Sequence, residues 1–183
     1  MRKIPLHEKG GIINEFGGDF CTVRLRIPAG LITVDQMEGI VEIARRYNTE
    51  LHLTTRQTME LVHVSPTSLE SLARDLEANG TPIGAEKSEI VNITACPGTD
   101  RCRFAMIDSI SLARTLDEKF FGKEMPVKFR IAISSCPNSC VSERLNEIGI
   151  TGVVRPYRVP GTCTGCGTCV KYCRENAIAI KNG

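Results

Sequence analysis

Four cysteines in the middle of the chain constrain its fold and chemistry more than any other feature. They form two tight pairs, a C-x5-C pair at Cys96 and Cys102 and a C-x3-C pair at Cys136 and Cys140. A proline follows the first cysteine of each pair, which fixes the local backbone and removes an amide that would need a partner. Four thiolates on two short loops can hold a cubane iron–sulfur cluster or a structural zinc ion. Because structural zinc sites favour C-x2-4-C spacing, the pattern favours a cluster over zinc and over unrelated buried thiols.

A second cysteine run lies near the end of the sequence. It has the spacing C-x2-C-x2-C-x3-C and two interspersed glycines, a pattern that wraps a [4Fe–4S] cubane: Cys163, Cys166, Cys169 and Cys173, with Gly165 and Gly167. In two-cluster ferredoxins the fourth cysteine of such a run serves the other cluster. One run is present here, and Arg174 stands where ferredoxins usually have proline. Either the chain is a piece of a longer protein, or this cluster site is incomplete.

The composition narrows the class of protein. Of 183 residues, 42% are hydrophobic and 24% are charged, which is typical of a globular protein with one core or one domain and an appendage. A net charge of +2 gives no reason to expect nucleic acid or a membrane as partner. The sequence shows neither an apolar run that could span a bilayer nor a signal peptide. We therefore expect a cytoplasmic protein from an anaerobic host, in which clustered cysteines bind metal rather than form disulfides.

Hydrophobic periodicity predicts an α+β fold for the first part of the chain. The predicted elements are a strand at 20–27, a helix at 34–48 that begins with a capping box at Thr33 and Gln36, strands at 51–54 and 59–64, and a helix at 65–80. This β-α-β-β-α order predicts a ferredoxin-like half sheet with its helices on one face. Glycine pairs punctuate residues 1–19, which we expect to be irregular.

A second α/β segment carries the four central cysteines. Its predicted elements are a strand at 90–94, a helix at about 103–118, a strand at 127–133, a short helix after Cys140 and a closing strand at 148–154. A proline- and glycine-bearing linker at 156–161 precedes the second cysteine run. We predict three domains, residues 1–82, 83–157 and 158–183.

Paired cations form a second group of candidate functional residues. Arg24 and Arg26 share one face of a predicted strand, as do Lys128 and Arg130, and Arg56 lies in the turn between two strands. A solvated sheet face would account for any one pair. Two pairs together with Arg56 favour an anion site, because arginine forks suit carboxylates and oxyanions and lysine supplies charge and protons.

The remaining histidines and one isolated cysteine carry weaker signals. His52 and His63 lie on adjacent predicted strands, and ordinary sheet histidines are the simplest interpretation for them and for His7. Cys21 is expected to be a small buried thiol, with donation to the second cluster as the alternative.

Taken together, these motifs resemble the siroheme-containing sulfite and nitrite reductases. The matching motifs are T-T-R-Q-T at 54–58, C-x5-C at 96–102, K-F-R at 128–130 and C-P-N-S-C at 136–140. The chain is most similar to the small dissimilatory-sulfite-reductase-like proteins of anaerobes, which add a ferredoxin segment. The resemblance covers nearly the whole chain. It implies a sulfite/nitrite reductase half domain, then a siroheme/[4Fe–4S]-binding domain, then a short bacterial-ferredoxin-like tail that is either truncated or an incomplete cluster site.

The resemblance also implies roles for individual residues. The central [4Fe–4S] cluster would be held by Cys96, Cys102, Cys136 and Cys140, the last of which would bridge the cluster to the siroheme iron. The residues expected to bind siroheme are Arg56, Gln57, Asn92, Asn138 and Cys140. Those expected to line the distal pocket, neutralise a bound oxyanion and relay protons are Arg24, Arg26, Lys128 and Arg130. The tail cluster would pass electrons inward.

The implied activity is reduction of sulfite, nitrite or a related small oxyanion, with electrons from a donor protein such as a ferredoxin. The larger enzymes place two homologous halves around a pseudo-two-fold axis, so a single half predicts a homodimer or higher homo-oligomer. Two positions depart from the family pattern, since Val91 and Ser142 stand where many members carry a basic residue. They favour an alternative, an iron–sulfur electron-transfer subunit that keeps the reductase fold without competent siroheme catalysis.

Overall fold

The computed structural model describes residues 6, 9–157, 159 and 161–180. The contacts divide the chain into two compact units, the first ending at Val153 and the second beginning at Val154. The predicted division into three domains stays a prediction. None of the described helices has both the length and the apolar character that a membrane span requires.

A four-stranded antiparallel sheet forms the first part of the first unit. Its strands are β1 (Ile12–Asn14), β2 (Cys21–Arg24), β3 (Glu50–Leu53) and β4 (Met59–Val64), in the spatial order β1-β2-β4-β3. The expectation that residues 1–19 are irregular is wrong for β1, which pairs with β2. Strand β2 is shorter than predicted because Leu25 leaves the ladder and forms a bridge with Ile83. The alternation of buried and half-buried side chains nevertheless continues to Ile27.

Two helices, α1 (Val34–Arg46) and α2 (Leu69–Ala78), pack against this sheet. The predicted capping box of α1 is confirmed, because Thr33 Oγ1 accepts from the Gln36 amide and Gln36 Oε1 accepts from the Thr33 amide, both at 3.1 Å. Helix α2 begins later than predicted, since residues 66–68 form a 3-10 turn. It ends before Gly80, whose φ of 72° is the left-handed conformation that glycine favours. The predicted ferredoxin-like β-α-β-β-α order is therefore confirmed.

A three-stranded parallel sheet forms the rest of the first unit. Its strands β5 (Thr94–Ala95), β6 (Ile131–Ser134) and β7 (Ile148–Thr151) lie side by side in that order, and helix α3 (Ser109–Phe120) connects β5 to β6. The helix begins later than the predicted residue 103, because the segment after Cys102 forms turns and Asp108 Oδ1 caps α3 by accepting from the Ser111 amide at 3.0 Å.

The strands of this sheet are also shorter than the apolar runs that predicted them. The strands predicted at 90–94 and 127–133 meet at the bridge between Ile90 and Phe129 but form a continuous ladder only near their ends. Helix α3 covers the sheet, and Ala113, Ile131 and Ile133 belong to one buried cluster there.

The second unit contains one short helix, α4 (Thr168–Tyr172), which carries Cys169. Gly165 and Gly167 both have positive φ, at 72° and 74°. Glycines therefore stand where this loop needs a left-handed backbone.

The capping box of α1 provides a test of the fold. We expect Thr33→Ala to lower the free energy of unfolding by about 1 kcal/mol, because the Gln36 amide loses its acceptor. The control is Ser68→Ala at the start of α2, where the serine side chain makes no capping hydrogen bond. Chemical denaturation monitored by circular dichroism measures both variants, and equal losses would contradict the role of Thr33.

Candidate metal and cofactor site

Parallel pairing of β5 and β6 brings the two central cysteine pairs to one edge of the sheet. Cys96 directly follows β5, and Cys136 lies two residues after β6. The Cys96 amide donates to the Ile133 carbonyl at 3.0 Å, which extends the ladder to the first cysteine. Since parallel strands end at the same edge, both cysteine loops leave the sheet side by side.

The thiol of Cys96 lies directly against the second cysteine loop. It donates to Ser135 Oγ at 3.0 Å and accepts from the Ser135 amide at 3.1 Å. Burial alone would raise the pKa of this thiol, but hydrogen bonds with Ser135 and Ser109 outweigh burial and lower it. The residue next to Cys136 therefore holds the Cys96 sulfur in place.

A glycine is required to close the first cysteine loop. Gly98 has a φ of 67°, and a Cβ added there would lie 2.7 Å from Ser109 Oγ. The Gly98 carbonyl in turn accepts from the Cys102 amide at 3.0 Å. The chain between the two cysteines therefore turns back on itself, through a 3-10 turn at Gly98–Asp100.

The four central cysteines differ in exposure. Cys96 and Cys136 are buried, Cys102 is half-buried and Cys140 is exposed. Within the described ranges all cysteines are free thiols, and no three Cys, His, Asp or Glu side chains are already arranged as a metal site. The four-cysteine ligand set therefore stays a prediction, supported by the shared sheet edge.

The side chain of Glu143 anchors the Cys136–Cys140 loop to the parallel sheet. Its carboxylate is completely buried and accepts hydrogen bonds from three hydroxyls, Ser134 and Ser139 at 2.6 Å and Thr151 at 2.8 Å. Burial alone would raise the pKa of Glu143, but the hydrogen bonds from the three hydroxyls together have the larger effect and lower the pKa to about 2. Ser139 lies inside the cysteine loop, so the carboxylate ties that loop to β6 and β7. Glu143 is not predicted from the sequence, because no motif marks a glutamate whose partners are hydroxyls.

A cleft of about 380 Å³ joins this cysteine loop to the turn between β3 and β4. The cleft is lined by Thr55, Arg56, Gln57, Thr94, Cys140, Val141 and Ser142. The structure thus brings together two motifs that are more than eighty residues apart in the sequence. Cys140, the most exposed of the central cysteines, forms part of the wall.

Arg56 is a half-buried cation that bonds to neutral groups. Its Nη2 donates to the Asn92 carbonyl at 2.6 Å and its Nη1 to Asn146 Oδ1 at 2.9 Å. Its buried Nε has no hydrogen-bond partner among the described residues. Burial, followed by repulsion from Arg130 and Arg24, lowers the pKa of Arg56 to about 10. A partly desolvated charge with no carboxylate ion pair among the described residues is destabilising, so Arg56 favours an anionic ligand in the cleft.

Gln57 closes the sheet edge beside the cleft. Its Nε2 donates to the Ala95 carbonyl at 2.7 Å and its Oε1 accepts from the Ala95 amide at 2.8 Å. The side chain therefore pairs with β5 as a neighbouring strand would, and both ends of its amide are engaged. It positions the strand that leads into Cys96.

Two further polar side chains near the cleft have no partner. Both amide atoms of Asn92 and the hydroxyl of Thr94 are buried without a hydrogen bond among the described residues. Asn92 is among the siroheme-binding residues that the family resemblance implies. Thr94 is not, because a threonine in a strand carries no distinguishing sequence signal. The other predicted siroheme ligand, Asn138, is exposed in the Cys136–Cys140 loop.

The predicted distal cations are already paired with carboxylates. Arg24 contacts Glu60 and Glu86, and Lys128 contacts Glu86 as well. Arg130 forms a two-pronged pair with Glu147, at 2.7 Å from Nη2 to Oε1 and 2.9 Å from Nε to Oε2.

Three of these cations form a group with Arg56. Burial, followed by repulsion from Arg24, Arg56 and Arg130, lowers the pKa of Lys128. The four positive charges are thus close enough to repel one another. Hereafter "cation cluster" means Arg24, Arg56, Lys128 and Arg130.

Arg26 points to a different part of the structure. Its guanidinium bonds to the buried carboxylate of Asp117 on α3, at 2.5 Å from Nη2, and stacks on the Phe121 ring at 4.5 Å. Burial raises the pKa of Asp117 and the neighbouring Arg26 opposes that rise. These contacts attach α3 to the segment after β2. The expected grouping of Arg24 with Arg26 at one anion site stays a prediction.

The histidines and the isolated cysteine lie apart from the cleft-lining residues. His52 Nδ1 contacts Glu60 Oε2 at 2.9 Å, and His63 Nδ1 contacts Glu15 Oε2 at 2.7 Å. Cys21 is buried in the first core, where burial raises the pKa of its thiol. His7 lies outside the described residues.

The tail cysteines are more accessible than the central ones. Cys163, Cys166 and Cys169 are exposed, and the half-buried Cys173 accepts from the Ala177 amide at 3.3 Å. Hydrogen bonds from Thr168, followed by Thr164, lower the pKa of Cys166 to about 7.

Comparison with protein families identifies the fold. Residues 14–79 match the nitrite/sulfite reductase ferredoxin-like half domain, and residues 86–176 match the nitrite and sulphite reductase 4Fe-4S domain. The chain belongs to the nitrite and sulfite reductase family. The first matching region contains strands β2, β3 and β4 with helices α1 and α2, and the second contains both cysteine runs.

Individual relatives support this family assignment. The chain is 35% identical over 173 residues to the coenzyme F420-dependent sulfite reductase of Methanocaldococcus jannaschii, covering 94% of this chain and 28% of that protein. It is 30% identical over 134 residues to the assimilatory-type sulfite reductase of Nitratidesulfovibrio vulgaris, covering 72% of this chain and 60% of that protein. The chain therefore spans less than two thirds of the length of either relative.

Solved structures show the same fold. The crystal structure of dissimilatory sulfite reductase I superposes with a TM-score of 0.61 at 24% identity, over 72% of this chain and 37% of that one. Mycobacterium tuberculosis NirA superposes with a TM-score of 0.62 at 15% identity, over 76% of this chain and 30% of that one.

Iron–sulfur clusters and siroheme are the cofactors that this family implies in general, and the cleft fits them. The half-buried guanidinium of Arg56 lines the cleft and forms no ion pair with a carboxylate of the described residues, the buried hydroxyl of Thr94 on the cleft wall has no hydrogen bond among them, and Cys140 of the C-x3-C loop lies on the same wall. An anionic macrocycle would supply the acceptors that these groups lack, and the thiol could ligate a metal.

Glu143 gives a pH-dependent test of the cysteine-loop anchor. Its pKa of about 2 lies below the usual value, so its stabilising contribution is complete above about pH 4.5 and disappears as the pH falls toward 2. In cofactor-free protein we expect Glu143→Gln to lower the free energy of unfolding at pH 7 by about 2 kcal/mol, since the new amide donor faces hydroxyl donors. Denaturant unfolding at a series of pH values measures this difference.

The expected signature is convergence of the two proteins at low pH. Glu70→Gln, at an exposed position of α2, controls for the loss of one negative charge. A stability difference between wild type and Glu143→Gln that stays constant from pH 7 to pH 2 would refute an ionised, hydrogen-bonded Glu143.

Proposed function

We propose that the chain is the catalytic half of an oxidoreductase that reduces sulfite, nitrite or a related small oxyanion at a siroheme coupled to a [4Fe–4S] cluster. The observation that carries this proposal is the cleft that Arg56 and Cys140 share. A half-buried cation without a carboxylate ion pair among the described residues and a thiol that could ligate a metal are the two features that an iron macrocycle with acidic side groups requires.

The cysteines supply the cluster ligands in this proposal. Cys96, Cys102, Cys136 and Cys140 would hold the central cluster, and Cys140, which lines the cleft, would be the cysteine that links it to the siroheme. When bound, siroheme and its cluster supply electrons and an iron position open to the substrate. Ser135 positions the Cys96 sulfur, and Glu143 positions the loop that carries Cys140.

Polar residues around the cleft orient the macrocycle. Arg56 neutralises carboxylates of siroheme, and Asn92, Asn138 and Thr94 supply hydrogen-bonding groups. Gln57 affects the site only indirectly, by positioning β5, because both polar atoms of its side-chain amide are hydrogen-bonded to the Ala95 backbone. Together these residues would bind and orient the macrocycle beside Cys140.

The remaining members of the cation cluster act on the substrate. Arg24, Lys128 and Arg130 neutralise the bound oxyanion, and the Lys128 ammonium, whose pKa is lowered mainly by burial, can donate a proton more readily than an exposed lysine. Arg26, expected in the same set, supports the site by holding α3 through Asp117.

The tail and a partner complete the proposed electron pathway. Cys163, Cys166, Cys169 and Cys173 bind a second [4Fe–4S] cluster, which receives electrons from a donor protein such as a ferredoxin. A homodimer or higher homo-oligomer supplies the second half that larger family members carry within one chain.

One observation favours the alternative, an iron–sulfur electron-transfer subunit. Arg24, Lys128 and Arg130 each contact a glutamate, so they are partly neutralised before any substrate binds. Val91 and Ser142 also stand where many family members have a basic residue. An electron-transfer protein of this kind would contain clusters but would show no siroheme absorption and no turnover.

Reconstitution tests the proposed function directly. After anaerobic loading with iron, sulfide and siroheme, we expect strong tetrapyrrole absorption bands and oxidation of a low-potential dye that depends on sulfite or nitrite. Arg56→Lys should bind siroheme about tenfold more weakly, because lysine cannot reproduce the guanidinium fork. The control is Arg46→Lys, at an exposed arginine paired with Asp75.

Two results of this experiment would contradict the proposal. Fully loaded protein that reduces neither anion would refute catalysis, and equal siroheme affinity in Arg56→Lys and wild type would refute the role of Arg56.

Iron content tests the cluster ligands. The proposal predicts about eight iron atoms per chain in protein reconstituted with clusters alone, because two [4Fe–4S] clusters are bound. Cys96→Ser should lose about four of them, and so should Cys166→Ser, whereas Cys21→Ala should lose none. Iron and acid-labile sulfide analysis gives the counts. Full retention of iron in Cys96→Ser would exclude Cys96 as a cluster ligand. Loss of iron in Cys21→Ala would instead identify Cys21 as a cluster ligand.

A further inference from the structure

Glu86 lies between two of the cations expected to act on the substrate. Its carboxylate forms ion pairs with the guanidinium of Arg24 and with the ammonium of Lys128 at the same time. Glu86 belongs to the irregular segment between α2 and β5, and its side chain is 21% exposed. The carboxylate therefore reaches the two cations from a loop that lies outside the helices and strands.

The guanidinium of Arg24 divides its contacts between two carboxylates. Its Nε and Nη2 donate to Glu60 Oε1 at 2.8 and 2.5 Å, and its Nη1 contacts Glu86. Glu60 is itself buried and held by His52 at 2.9 Å. Arg24 is thus anchored without Glu86, and the Nη1 side of its fork stays available to another anion.

The cation cluster carries excess positive charge even with Glu86 in place. Among the described residues, three carboxylates form ion pairs with its four members: Glu60, Glu86 and Glu147. The pKa of Lys128 is lowered by burial, and the charges of Arg24, Arg56 and Arg130 add to this effect. A further anion is therefore attracted to the cation cluster. A ligand that replaces Glu86 forms new ion pairs with Arg24 and Lys128 in place of those that Glu86 made.

We propose that Arg24 and Lys128 form a binding site for an oxygen-bearing anionic group, and that Glu86 fills this site until the ligand displaces it. A carboxylate and a small oxyanion present the same kind of acceptor atoms to a guanidinium and an ammonium. The identity of the ligand, a substrate oxyanion or a carboxylate of the macrocycle, rests on the proposed function. The displacement itself rests on the contacts of Glu86.

Glu86 then determines the selectivity of the site. A ligand must replace a full negative charge at two cations, so a divalent oxyanion competes with Glu86 better than a monovalent one. Binding should weaken as salt concentration rises, because Lys128 is only partly buried. Removing the carboxylate should strengthen anion binding, whereas removal of an ordinary structural partner would not.

Calorimetric titration of the cofactor-free protein with sodium sulfate at low ionic strength tests the proposal. We expect Glu86→Gln to bind sulfate about tenfold more tightly than wild type, because the competing charge is gone. Glu70→Gln removes the same charge at an exposed position of α2 and should behave as wild type. The double variant Glu86→Gln/Lys128→Gln should lose the gain, because one of the two cations is missing.

A parallel titration with the metal-free siroheme macrocycle distinguishes the two ligand sources. A gain for sulfate supports a free oxyanion at the site, and a gain for the macrocycle alone supports one of its carboxylates. Affinities of Glu86→Gln and Glu70→Gln within twofold of each other for both ligands would overturn the proposal.

A second variant covers loss of folding, which circular dichroism detects. Glu86→Asp keeps the charge but shortens the reach by one methylene, and it should give a smaller gain in the same direction. If Glu86→Gln does not fold, Glu86→Asp with affinities equal to those of Glu70→Gln overturns the proposal. These measurements depend on neither siroheme absorption nor turnover. If the protein proves to be a reductase but anion affinity does not rise when the Glu86 carboxylate is removed, the anion site is refuted and the proposed function is not.

Discussion

A half-buried guanidinium links the two sheets of the first unit, and the candidate site depends on it. Arg56 extends from the turn between β3 and β4 to the Asn92 carbonyl before β5 and to Asn146 before β7. Next to it, Gln57 completes the edge of β5 through Ala95. One short turn of the antiparallel sheet thus positions the strand that leads into Cys96. The same turn forms a wall of the cleft at Cys140, so folding of the first sheet shapes the cofactor site on the second.

The polar groups of the site fall into satisfied and unsatisfied sets, and the division indicates their roles. Groups that hold backbone in place are fully bonded, as in the Glu143 carboxylate with its three hydroxyls and the Gln57 amide with Ala95. Groups that face or adjoin the cleft lack hydrogen-bond partners among the described residues, as in the Nε of Arg56 and the hydroxyl of Thr94. Unsatisfied buried groups cost stability, so those on the cleft wall are the groups that a bound ligand would stabilise.

Much of the fold followed from local signals in the sequence. The capping box at Thr33 defined the start of α1, and cysteine spacing identified both candidate cluster sites before any geometry was known. The partners that decide the electrostatics could not be predicted this way. Glu86, Asp117 and Glu143 meet their partners through tertiary structure, and glutamates and aspartates in such sequences usually indicate solvated surface. The start of α3 was misplaced for a related reason, because apolar spacing continues through the turns after Cys102 while the cap at Asp108 decides where the helix begins.

The two departures from the family pattern make physical sense in this charge balance. Val91 is 1% exposed, and its amide donates to the Phe129 carbonyl at 3.0 Å, so it occupies a position that admits an apolar side chain without a partner. Ser142 lines the cleft beside Cys140 with a φ of 49°. A basic residue at position 142 would add a positive charge to the cleft that Arg56 lines, and Arg56 is already repelled by Arg130 and Arg24. In the proposed anion site, the Glu86 carboxylate that contacts Arg24 and Lys128 is the group that an external anion must replace.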